Sequence, residues 1–128
     1  MKIFTKIVPY DIAEKLKANG FHVPTIKQYD ALYRKLWDTF GGTAHDWNSS
    51  EYQTPTREYL SAPTYGEMLD WFSDKGIHLF LSFSGGYRCH IRLGKDMKKS
   101  TYIVNRYDTA IEAYKEGIEH AFWHLKKR

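Results

Sequence analysis

A single cysteine, Cys89, among 128 residues leaves no intrachain disulfide framework and suits a reducing cytosol. No apolar run approaches the roughly 18 residues that a membrane-spanning helix needs. Residues 1–10 carry Lys2 and Lys6 but no apolar core segment, so they are not read as a secretory signal. The four prolines are scattered and there is no low-complexity tract. Chemistry-bearing motifs are also scarce: neither GxGxxG, nor a Walker lysine pattern, nor HExxH is found, and the carboxylates are spread with no marked acid–base pair. No enzyme, cofactor or metal signature follows. What is present is a chain of 42% hydrophobic and 27% charged residues, unusually rich in Tyr, Phe and Trp. That composition suits one soluble, cytoplasmic domain, residues 1–128, and excludes disorder as a description of the whole.

The net charge of +4 is unevenly placed. Residues 1–74 hold eight Lys/Arg against ten Asp/Glu, residues 75–106 hold seven against Asp96 alone, and residues 107–125 hold Lys115 against four acids. Three further cations close the chain at 126–128. A basic middle therefore stands between acidic flanks, and this separation bears on partners, not on fold.

Pro9 to Ala18, with Asp11 and Glu14 early and Asn19-Gly20 behind, predicts a first helix with Phe21 packing back. In residues 25–40, Thr25 and Gln28 resemble a capping box. Ile26, Tyr29, Leu32, Tyr33, Leu36, Trp37 and Phe40 recur at helical spacing, so a second helix is favoured over a competing extended reading. Residues 41–61 read as a long loop with a short strand near 57–60. Pro63-Thr64 with Glu67 predicts a helix closed by Gly76. Two alternating runs, 77–83 and 87–93, flank Gly85-Gly86. A two-residue turn would put Arg88, His90 and Arg92 on the apolar face, whereas a three-residue loop pairs Phe83 with Tyr87, Leu81 with Cys89 and Leu79 with Ile91. The second register is expected. A third strand over 100–106 and a last helix opening at Asp108-Thr109, with Gly117 allowing close approach to the sheet, complete the pattern. The fold class is α+β: a three-stranded antiparallel sheet with two helices on one face over residues 63–127. An N-terminal helical and irregular segment, 1–62, precedes it.

The stretches VPYDIAEKLKANGF, APTYGEMLDWFSDKGI and YDTAIEAYKEGIEHAFWHL, with YRCHI between the last two, resemble a family of small uncharacterised proteins of phages and mobile elements in Bacteroides-type gut bacteria. The resemblance implies a fold and a genetic setting, and no activity. The order helix–three strands–helix is similar to the double-stranded RNA-binding domain, which grips phosphates through lysines at the start of its last helix. Asp108, Thr109 and Glu112 stand there instead, which speaks against that mode.

Two surfaces are candidates. His78, Phe80 and Ser82 alternate outward beside Arg88, His90 and Arg92, with Lys95, Lys98 and Lys99 in the following connection. Cations that hold phosphates and an aromatic that stacks on a base suit single-stranded nucleic acid, and a solvated or covered sheet face is the plain alternative. Trp47, Tyr52, Tyr59, Trp71 and Trp123 are candidate anchors of a protein interface, against the equal expectation that residues 41–61 fold back and bury theirs. His120 and His124 lie one helical turn apart but lack the further ligands zinc prefers. Cys89 and His90 point to opposite faces, so Cys89 is expected in the core. The leading expectation is a protein-binding or self-associating module, with nucleic-acid binding by the 77–106 sheet as the alternative.

Overall fold

A computed structural model describes residues 2–38, 42–94, 99–102 and 105–126. It is α+β, with helices α1 (Tyr10–Ala18), α2 (Tyr65–Asp74) and α3 (Ala110–Lys126). Its strands are β1 (Lys27–Asp30), β2 (Lys35–Asp38), β3 (Tyr59–Ala62), β4 (Ile77–Phe83), β5 (Tyr87–Leu93) and β6 (Lys99–Tyr102). The strands form two antiparallel sheets, ordered β2-β1-β3 and β4-β5-β6. One domain with a core at 63–127 is the reading from sequence; the chain divides into two compact units, Met1–Glu67 and Met68–Arg128, with α2 beginning in the first and continuing in the second.

In the first unit Pro9, in extended conformation, starts α1, with Asp11 in its first turn and Lys15 and Lys17 in its last, matching the helix dipole. The Phe21 amide returns to the Leu16 carbonyl at 3.0 Å and the Phe21 ring is fully buried, so the expected packing after Gly20 is found. Ile12, Ala13 and Leu16 are buried on α1, and Leu60 and Ala62 on β3, with which α1 is in contact. The Tyr29 hydroxyl donates to the Val8 carbonyl at 2.7 Å.

The second helix expected at 25–40 is replaced by a β-hairpin. Tyr29 is 9% exposed, but Leu32, Tyr33, Leu36 and Trp37 are 64%, 66%, 41% and 50% exposed, so the apolar set never forms one buried stripe. A short helix without such packing has little to stabilise it. Thr25 does not cap Gln28; its hydroxyl donates to the Lys27 carbonyl at 2.7 Å, and its backbone pairs with His45. β1 is instead held on both sides, by β2 and by β3. Phe40 lies outside the described residues. The expected loop is structured in its described part, 42–58. Asn48 donates to the Phe21 carbonyl at 2.8 Å and accepts from the Ser61 amide at 3.0 Å. Lys17 Nζ meets Gln53 Oε1, Glu58 Oε2 and the Tyr59 carbonyl at 3.0–3.2 Å. The short strand sits at Tyr59–Ala62.

The capping box of α2 is reciprocal: the Thr64 amide donates to Glu67 Oε1 at 2.8 Å, and the Glu67 amide to Thr64 Oγ1 at 3.1 Å. In the second unit the β4–β5 register is the one expected, with Phe83 opposite Tyr87, Leu81 opposite Cys89 and Leu79 opposite Ile91. The turn needs glycine at position 85, where φ is 68°. β6 covers Lys99–Tyr102, starting one residue before the strand expected at 100–106, and Asn105 and Arg106 are not in it; Ile103 and Val104 lie outside the described residues. Ala113, Tyr114, Gly117, Ile118, Ala121 and Phe122 line the buried face of α3, which packs on β4 and β5. A Cβ at Gly117 would overlap Cys89 Sγ, so glycine lets this helix lie close to the sheet. Phe72 of α2 meets Phe122 edge-on, with centroids 5.2 Å apart. Among the described residues no helix is long and apolar enough to cross a membrane.

Candidate functional site

Because β4 and β5 pair with Phe80 opposite His90, the three outward residues of each strand form cross-strand couples: His78 with Arg92, Phe80 with His90, Ser82 with Arg88. Those six positions carry no carboxylate. The rings of Phe80 and His90 stack with centroids 4.9 Å apart and an angle of 9° between planes. Arg92 Cζ lies over the Phe80 ring at 5.0 Å, and Ser82 Oγ is 2.6 Å from His90 Nε2. Nε of both Arg88 and Arg92 is buried without a hydrogen-bond partner among the described residues. Burial first, then the charges of Arg92 and Arg88, hold the His90 imidazole below its usual range.

The other candidates on this side divide. His78 is engaged, with Ser73 Oγ 2.9 Å from Nδ1 and the Gly94 carbonyl 3.1 Å from Nε2. A carbonyl only accepts, so Nε2 carries a proton and Nδ1 is left to accept from Ser73 when the ring is neutral. Lys99 is placed by its backbone in β6, opposite Leu93, while Lys95 and Lys98 lie outside the described residues. Cys89 is fully buried and burial pushes its thiol up to about 12, which removes it as a nucleophile at neutral pH.

The aromatic candidates do not form one surface. Trp47, Tyr52 and Tyr59 pack on one another, with Trp47 4.7 Å from Tyr52 and 6.0 Å from Tyr59. Trp47 Nε1 donates to the Thr25 carbonyl at 3.1 Å and Tyr52 Oη lies 3.1 Å from His45 Nδ1, so these rings fold the 42–58 segment and are only half-exposed. Trp71 requires a correction: it is 6% exposed, because position 71 falls beside Met68 and Phe72 on the buried side of α2. Trp123 is 52% exposed and borders, with Glu119 and His120, a hollow of about 370 Å³ on α3. His120 is exposed on the same helix, and His124 contacts the Trp123 ring.

A further constellation was hidden by the helical reading of 25–40. Residues 28 and 30 of β1 share one face, with Trp37 across from Gln28 on β2 and Tyr59 across from Asp30 on β3. With Asp38 and Arg57 these residues line a groove of about 260 Å³. The alternation of Gln28 and Asp30 about Tyr29 is the signal the sequence holds for it.

No family model, curated protein or solved structure matches the chain.

Proposed function

We propose that the protein is a non-catalytic binding module whose β4–β5 face holds the phosphates of nucleic acid. The observation that carries this reading is the pair Arg88 and Arg92, on one face of one strand, each with an unpartnered Nε and no acid among the six facing positions. An unsatisfied buried donor costs about 1–3 kcal/mol, and an anion that accepts from it recovers part of that. Phosphate suits the planar guanidinium, which offers two parallel donors. Phe80 is already stacked on His90 and covered by Arg92, so phosphate contact leads and base stacking follows only by extending that stack. An accessory role in a phage or mobile element, in the cytoplasm, is the setting that goes with this reading. The basic sheet is then the outer surface of an α-β-β-β-α layer with both helices beneath it, an arrangement the Phe72–Phe122 contact supports.

The test is fluorescence anisotropy with labelled single-stranded DNA and RNA. Arg88→Glu with Arg92→Glu is expected to weaken binding by at least about tenfold, or 1.4 kcal/mol, while Trp123→Ala leaves it unchanged. A double variant that binds like the parent contradicts the proposal.

A second reading, a protein-binding or self-associating module, is favoured by one observation: Leu32 and Tyr33, at the tip of the β1–β2 hairpin, are 64% and 66% exposed. Sedimentation velocity across a concentration series decides it. Association that Leu32→Lys with Tyr33→Lys abolishes supports this reading, and a monomer at the highest concentration argues against it.

A further inference from the structure

We propose that the groove on the β2-β1-β3 sheet is a binding site for a neutral polyhydroxylated ligand, a saccharide ring. Its floor is acceptor-rich. Gln28 is 8% exposed and its Oε1 is buried with no hydrogen-bond partner among the described residues. Asp30 is 4% exposed; its Oδ1 takes the Leu32 amide at 2.9 Å, and a carboxylate has further lone pairs to offer. A ligand that completes this floor must bring hydrogen-bond donors. The walls are aromatic: Trp37, half-exposed on the edge strand, and Tyr59 on the far side of β1. A ring face resting on them must be apolar. Arg57, whose Nη1 donates to the Tyr59 hydroxyl at 3.1 Å, supplies donors for ligand oxygens at the rim.

Charge narrows the class. A cationic ligand meets Arg57 at the rim and Lys35, whose Nζ already lies 5.8 Å from the Trp37 ring centroid. Asp38, which lines the groove and follows Trp37 in the chain, is paired with Lys27 at 2.9 Å. An anionic ligand meets the buried Asp30 carboxylate. A neutral molecule avoids both, and hydroxyls on a ring with an apolar C–H face meet every remaining demand: donors to Gln28 and Asp30, acceptors for Arg57, and a flat surface for Trp37. At about 260 Å³ the groove is smaller than drug-sized pockets and takes one ring-sized unit.

The experiment is two-dimensional NMR on the full-length protein. It is titrated separately with common neutral monosaccharides, with oligosaccharides ending in the same units, and with ribonucleosides as the competing class of stacked, hydroxylated ligand. The expected result is saturable millimolar binding of one or more saccharides, with shifts at the Gln28 side-chain amide, the Trp37 indole N–H and the Asp30 backbone. Gln28→Leu and Trp37→Ala are expected to weaken that binding by about tenfold or more with the dispersion of the remaining spectrum retained. Both positions test the ligand and not the fold, since Gln28 Oε1 bonds nothing and Trp37 is half-exposed. An oligosaccharide that binds more tightly than its terminal unit identifies a glycan chain as the source; equal affinity identifies the free sugar. Silence of these resonances with every saccharide, binding of ribonucleosides alone, or saccharide shifts that persist in both variants overturns the proposal.

Discussion

Gly117 lies so close to Cys89 that a methyl at position 117 has no room beside the Cys89 side chain. Alanine at an open helical site gains about 1 kcal/mol over glycine. Here overpacking of roughly 1–3 kcal/mol opposes that gain, and a net loss of stability is expected for Gly117→Ala in urea denaturation. In a Cys89→Ala background, with Sγ gone, the loss should shrink; an unchanged loss would place the strain elsewhere. Burial also sets the titration of this layer. Cys89 is pushed up to about 12 by burial and by Glu116, and Tyr114 to about 12 by burial and by Cys89. Both groups hold their protons more tightly folded than unfolded. Their contribution is therefore complete below the ordinary thiol and phenol values, near 9 and 10, and is lost as pH rises towards 12. Alkaline unfolding should begin in that window, and the native thiol should resist alkylation at pH 8 until the protein is unfolded.

At the scale of elements, local signals succeeded where side chains bond their own backbone. The α2 capping box is made by the residues the sequence pattern names, and Thr64→Ala is expected to cost about 1 kcal/mol, measured by urea denaturation, with Glu67→Gln costing less. The β4–β5 register was legible because one slip would have buried two arginines. The β1–β2 hairpin was not legible, for two physical reasons. Its turn places Arg34, not glycine or asparagine, at φ 54°, where the guanidinium lies 5.1 Å from the Tyr10 ring centroid, so the usual turn chemistry is absent. Its apolar residues are largely exposed, so their spacing records no buried face. The groove went unseen with the hairpin, because Gln28, Asp30 and Trp37 converge only once strands replace a helix. The cross-strand placing of His78, Phe80, Arg88, His90 and Arg92 follows from the legible register, whereas the stacking of Phe80 on His90 and the anchoring of His78 depend on side-chain geometry.

Over the whole molecule, the separation of charge matters more than its total. In sequence, residues 75–106 hold seven cations against one acid, and β5 within them carries both Arg88 and Arg92, while the last helix is acidic before its final turn. On the proposed function a polyanion is drawn to the sheet and not to the acidic start of α3, where a double-stranded RNA-binding domain carries its lysines. The most direct test is the salt dependence of single-stranded DNA affinity. Each phosphate of a single strand that the protein neutralises releases condensed counterion and contributes roughly 0.7 to the slope of log Kd against log salt concentration. Two arginine contacts predict a slope of at least about 1.4, falling by about 0.7 for Arg92→Gln and further when Arg88→Gln is added. An affinity indifferent to salt, or a slope that both substitutions leave unchanged, would contradict the assignment of this face.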